Sequence, residues 1–178
     1  MEFVTWLDYE KEFLDKEYDF IVIDTHNDES KVTGNLLVGS HVVVNVVSPD
    51  MDSFTAIYSL LDLVEKILKP NTIPFRSKES ITDLDIAILP NIVPFNANQM
   101  QIVARKFIKE VETLDGYIGL VPEKVEIRKS KLIGENIFAY YQKSSEEEKS
   151  SMINFVENLK EIYAKIAIAA CKKSLENE

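Results

Sequence analysis

The chain has one cysteine, Cys171, in 178 residues, so no disulfide can close within it. Free thiol chemistry of this kind fits a reducing compartment, and the cytoplasm is the expectation. No apolar run approaches the ~20 residues needed to span a bilayer, so no membrane partner is expected. The start, Met1 to Phe13, lacks the basic region and apolar stretch of a signal peptide. The two histidines, His26 and His41, are too few and too far from Cys171 for a zinc site. Asp24, His26 and Asp28 are close enough in sequence to gather a metal, with a solvated turn as the plainer alternative. Positive charge is scarce as well: 20 Lys and Arg face 30 Asp and Glu, a net charge of -10. The first thirty residues carry ten acids against Lys11 and Lys16. Such a surface repels phosphate backbones, which argues against nucleic-acid binding by the chain alone. The densest basic groups, Arg105-Lys106-Lys109 and Arg128-Lys129-Lys131, read as solvated faces.

What is present is enough apolar residue for a core, 46% of the chain, patterned as alternating strands and helices. Residues 3–16 place Phe3, Trp6, Leu7, Phe13 and Leu14 at helical spacing. Tyr18 to Asp24 is a nearly continuous apolar run ending in a carboxylate, which predicts a parallel strand buried on both faces. Residues 25–34 read as a loop entering at most a short helical turn. The β-branched run His41–Val47 predicts a second strand, ended by Ser48-Pro49-Asp50. The rhythm of Phe54, Ile57, Tyr58, Leu61, Val64 and Leu68 predicts a helix. A third strand is expected over Asp85–Val93. Asn96 or Asn98 would cap a following helix, with Met100, Val103, Phe107, Val111 and Leu114 inward. A fourth extended segment spans Tyr117–Pro122, with Val125 and Ile127 continuing it. A last helix runs from about Ser145 to Leu175, its apolar stripe formed by Phe155, Leu159, Ile162, Ile166 and Ala169. Alternation of this kind predicts one α/β domain over residues 1–178, with a mostly parallel sheet covered by helices on both faces.

A phosphate-binding loop needs a glycine-rich turn with Lys and Ser/Thr beside it. The nearest approach is Gly34-Asn-Leu-Leu-Val-Gly39-Ser40-His41, which has Ser40 where the Lys belongs. A β-branched strand follows it instead of a helix N-terminus, so these glycines are expected to serve backbone turns. Asp24 stands where a parallel strand would deliver its last residue, the edge at which α/β sheets bind ligands. A carboxylate there can hold magnesium through water, or merely cap a turn. Cys171, on the predicted last helix beside Lys172 and Lys173, reads as a half-buried thiol.

Taken in order, these segments resemble the ParA/MinD group of partition ATPases. Tyr18-Asp-Phe-Ile-Val-Ile-Asp24-Thr25 is similar to that family's Walker B segment, although His26-Asn27 stand where two prolines are usual. Ser48-Pro49 with Phe54 resembles its proline turn into a helix. Ile88-Leu89-Pro90-Asn91 resembles the strand whose asparagine faces adenine. Leu120-Val121-Pro122, then Gly134 to Phe138, resembles its late proline and glycine region. The resemblance covers about residues 3–170 and implies a P-loop NTPase-like fold lacking its N-terminal portion. It implies Asp24 as the acid near Mg2+, Thr25 on the γ-phosphate side, and Asn91 and Pro122 bordering the base of ATP. The Lys-bearing loop of the family is absent, whether because the chain is a fragment or because it is a shortened relative. The resemblance therefore implies a partition or plasmid-maintenance protein without nucleotide chemistry of its own, working through a partition-complex protein or self-association. An interaction module that uses no nucleotide, and a flavodoxin-like small-ligand protein, are the alternatives.

Overall fold

The computed structural model describes residues 2–25, 30–68, 70, 84–96 and 99–176. Helix α1 spans Glu2–Glu17 and α2 spans Lys31–Val38, followed by strand β1, Val42–Val47. Helix α3, Met51–Asp62, continues as a π-helical stretch over Leu63–Leu68. Strand β2 is Asp85–Pro90, and a short antiparallel ribbon pairs β3, Phe95–Asn96, with β4, Gln99–Met100. Then come α4, Ile102–Val111, α5, Val125–Leu132, α6, Ile137–Lys143, and α7, Glu146–Glu176.

The fold is mixed α/β around a small parallel sheet. Strands β1 and β2 run parallel in the register Val42↔Asp85 through Val47↔Pro90. The amide of Asp85 donates to the His41 carbonyl, and that of Asn91 to the Val47 carbonyl. Hydrogen bonds in a parallel ladder use alternate residues of each strand. Thus Val43, Asn45 and Val47 direct their backbone groups at β2. The even residues of β2 face the other way: Ile88 donates to the Gly116 carbonyl and accepts from Ile118, and Pro90 accepts from Val121. Residues 117–122 therefore lie alongside β2 as a third parallel segment, through bridges at Tyr117 and Pro122.

Side chains from this ladder are covered on both faces. Val47 and Ile88 join Ile57 of α3 and Phe107, Ile108 and Val111 of α4 in one core. Val43 and Ile86 pack with Leu37, Val64 and Leu68 in an adjoining cluster. On the opposite face Leu89 and Val121 meet Met152, Phe155, Val156, Leu159 and Ile162 of α7, with Val44 beside them. Burying a side chain of this size contributes about 1.5–3 kcal/mol, so the stripe on α7 is a principal clamp on the sheet. Polar anchors add to it: Asn158 Nδ2 donates to the Leu120 carbonyl and Lys165 Nζ to that of Ile118, both at 2.9 Å. Helix α7 starts in a capping box, in which Ser145 N donates to Glu148 Oε2 and Glu148 N to Ser145 Oγ.

Several sequence expectations are corrected. Tyr18 to Asp24 is not a buried strand: it has no strand partner among the described residues, and Val22 is 92% exposed. A continuous apolar run suits a strand only where neighbours cover it, and Tyr18, Phe20, Ile21 and Val22 all stay exposed. Gly34 lies inside α2, where it faces Leu68 Cδ2, and is not a turn residue. Residues 95–96 and 99–100 form the β3/β4 ribbon, so α4 begins at Ile102 with Gln101 as its N-cap, without a side-chain cap bond. Asn96 therefore caps nothing, and Asn98 lies outside the described residues. Val103 is 75% exposed while Ala104 and Ile108 face inward. Val125 and Ile127 are helical, because α5 starts directly after Pro122-Glu123-Lys124.

Two glycines show how tightly the third segment is docked. Gly116 has φ +91, and a Cβ there would come within 2.1 Å of the Ile86 carbonyl oxygen. Gly134, with φ +72, ends α5 in a Schellman arrangement, Glu135 N donating to the Ser130 carbonyl, and a Cβ there would meet nothing within 4 Å. Beside the docked segment, the Tyr117 hydroxyl is held above its ordinary pKa by burial, then by the nearby Glu112 carboxylate and a hydrogen bond to it. Gly134→Ala should cost about 1 kcal/mol in urea unfolding, the ordinary left-handed penalty. Gly116→Ala should cost at least about twice that, because backbone atoms must also separate.

Candidate functional site: a cleft along the open edge of the sheet

Strand β1 has β2 on one side and no strand on the other among the described residues. Along that open side lies a cleft of ≈ 590 Å³. Residues 43–46 of β1 form one part of its lining, α3 supplies Asp52, Thr55 and Ser59, and Ile23, Asp24 and Thr25 contribute from the extended segment. The sequence builds this arrangement locally. Asp50 caps α3, its Oδ1 accepting from Ser53 N at 2.7 Å, and Ser53 Oγ accepts from Ser48 N at 3.3 Å. These bonds fold Ser48-Pro49-Asp50 back from β1 into α3 and bring Asp52, in the helix's first turn, to the cleft.

Two of the four residues singled out from sequence, Asp24 and Thr25, thus line one cleft. Asn91 and Pro122 do not line it. They sit beyond β2 and in the third segment, at the carboxyl edge of the ladder: Asn91 N donates to the Val47 carbonyl, and Pro122 pairs with Val93. The Asn91 side chain turns back on its own backbone, its Oδ1 accepting from Ile92 N at 2.9 Å. Ile92 itself holds φ 54, unusual for a β-branched residue. His26 and Asp28, the other members of the possible metal cluster, lie outside the described residues.

The lining is mixed, with apolar residues such as Val43, Val44, Val46, Ala56 and Leu60 beside the polar ones. Asp24 and Asp52 supply carboxylates, Thr25, Thr33, Thr55 and Ser59 supply hydroxyls, and no Lys or Arg is among the described lining residues. These oxygens suit a hydrated magnesium ion in kind, with Asp24 and Asp52 as the residues to hold it through water. Among the described residues, no three His, Cys, Asp or Glu side chains come together as a metal cluster. Phosphates are held best by cationic groups and by amides at a helix N-terminus; no Lys or Arg lines the cleft among the described residues, and the first-turn amide of Ser53 is taken by Asp50.

Asn45 was not anticipated as a site residue. It interrupts an otherwise all-valine strand, and that interruption was the available signal. Its Nδ2 is buried without a hydrogen-bond partner, and the residue lines the cleft. An unpaired buried donor costs about 1–3 kcal/mol, a burden that a structural residue would not need to carry. Among the described residues no helix is long and apolar enough to cross a membrane. No protein-family model matches the chain, and no curated protein or solved structure gives a significant match. Asn45→Val should raise the unfolding free energy by about 1 kcal/mol, because it removes the orphaned donor and suits a strand. A loss of stability in chemical denaturation would show that the amide is satisfied.

Proposed function

We propose that the chain is a ParA-like partition module that keeps an α/β nucleotide-site plan but holds no nucleotide by itself and works through protein contacts. The observation that carries this reading is the charge of the cleft. Asp24 and Thr25, the residues that the resemblance assigns to the Mg2+ and phosphate side, stand in a lining with two carboxylates and no described cation. A polyanion entering there meets like charge, and among the described lining residues it finds no Lys or Arg to supply the charge-assisted donors that phosphate sites rely on. Each such bond is worth about 1.5–3 kcal/mol, so lacking two of them weakens binding by roughly two to four orders of magnitude.

The parallel order of β1, β2 and residues 117–122, with Asn91 and Pro122 at its carboxyl edge, supports the ParA-like plan. The acidic balance supports a protein partner, a partition-complex component or a second copy, over nucleic acid. Calorimetric titration with ATP and magnesium tests the reading. No saturable binding is expected up to about 1 mM for the chain or for Asp24→Ala. Micromolar binding that disappears in Asp24→Ala would overturn it.

A further inference from the structure

We propose that the open edge of β1 is a docking site for one extended strand of a partner polypeptide, apolar in its centre and basic at its ends. The proposal starts from backbone chemistry. With the odd residues of β1 engaged by β2, the N–H and C=O groups of Val42, Val44 and Val46 point away from it, and none of them has a hydrogen bond among the described residues. Unpaired strand edges are templates for another strand, and proteins usually blunt them with Lys, Pro or a bulge. Strand β1 has none of these: it reads Val-Val-Val-Asn-Val-Val, with Val46 51% exposed.

Three observations identify the occupant. The open edge borders a cleft of ≈ 590 Å³, with Ile23–Thr25 also lining it, and such a space suits one polypeptide strand. Asn45 lines that cleft, and its buried Nδ2 has no hydrogen-bond acceptor among the described residues. Asp24 and Asp52 border the cleft without a described cation, and the first thirty residues carry ten acids against two lysines. This charge selects a basic partner. It also opposes a second copy of the chain, which carries the same net charge of -10. Main-chain hydrogen bonds then supply affinity, and the acidic border supplies selection.

The inference rests on the interaction-module reading, and the two can fail separately. Absence of strand binding together with absence of ATP binding overturns only the docking site, whereas ATP binding overturns the module reading. The probe is a short synthetic peptide of alternating valine and threonine with lysines at both ends, titrated by fluorescence anisotropy. Comparison peptides carry glutamates at the ends, or N-methyl groups on alternate amides. Val46→Pro removes an outward N–H and leaves the β2 ladder untouched. The lysine-ended peptide should bind saturably, and each of the three changes should weaken it by about tenfold or more. Equal binding of the N-methylated peptide, equal binding of the glutamate-ended peptide, or no saturable binding overturns the proposal. A dimer in sedimentation that Val46→Pro dissociates also overturns it, by assigning the edge to a second copy. Should Val46→Pro fail to fold, the N-methylated peptide on the parent chain decides alone.

Discussion

Backbone pairing around β2 is the constraint on which the rest of the molecule depends. Its odd residues bond β1, while Ile88 and Pro90 bond residues 116–121 on the other side. Because β2 has a neighbour on each side, the sheet can grow only at the far side of β1 or beyond the third segment. Helices α3, α4 and α7 then clamp the ladder from its two faces through the clusters around Ile88 and Leu89. Neighbouring residues of one strand serve opposite cores, which is the period-2 geometry of a strand turned into a three-layer body.

The open side of β1 is where this order stops. The same side gathers the polar residues Asp24, Thr25, Asn45 and Asp52 around one cleft. Charge and hydrogen bonding there pull in one direction. Carboxylates repel a polyanion, while outward backbone groups and an unpaired amide call for a neutral or basic polypeptide. The extended strand with basic ends that we propose would pair the outward backbone groups and meet the carboxylates.

Much of the ladder was legible in the sequence. The strands expected over His41–Val47 and Asp85–Val93 contain β1 and β2, although β2 ends at Pro90, since few other structures favour such apolar, β-branched residues so strongly. The stripes of α3 and α7 were visible because amphipathic spacing over many turns is a strong signal. Tyr18 to Asp24 misled, because an apolar run states a preference for burial and says nothing of whether a neighbour exists to provide it. Val125 and Ile127 misled for a related reason: β-branched residues are tolerated in a short helix whose other positions, such as Arg128 and Lys129, favour it. Of the cleft's lining, Asp24 had been singled out by its place at the end of an apolar run and Thr25 by the family resemblance. Asn45 was missed, since a single amide in a strand gains meaning only when its partners are counted in three dimensions.

Native-state amide hydrogen exchange of β1, resolved residue by residue, tests the central claim most directly. Protection follows hydrogen bonding, so Val43, Asn45 and Val47 should exchange slowly, near the rate set by global unfolding, while Val42, Val44 and Val46 exchange rapidly. Equal and strong protection of all six amides would mean that the far side of β1 is already paired, and the account of an open edge would be wrong.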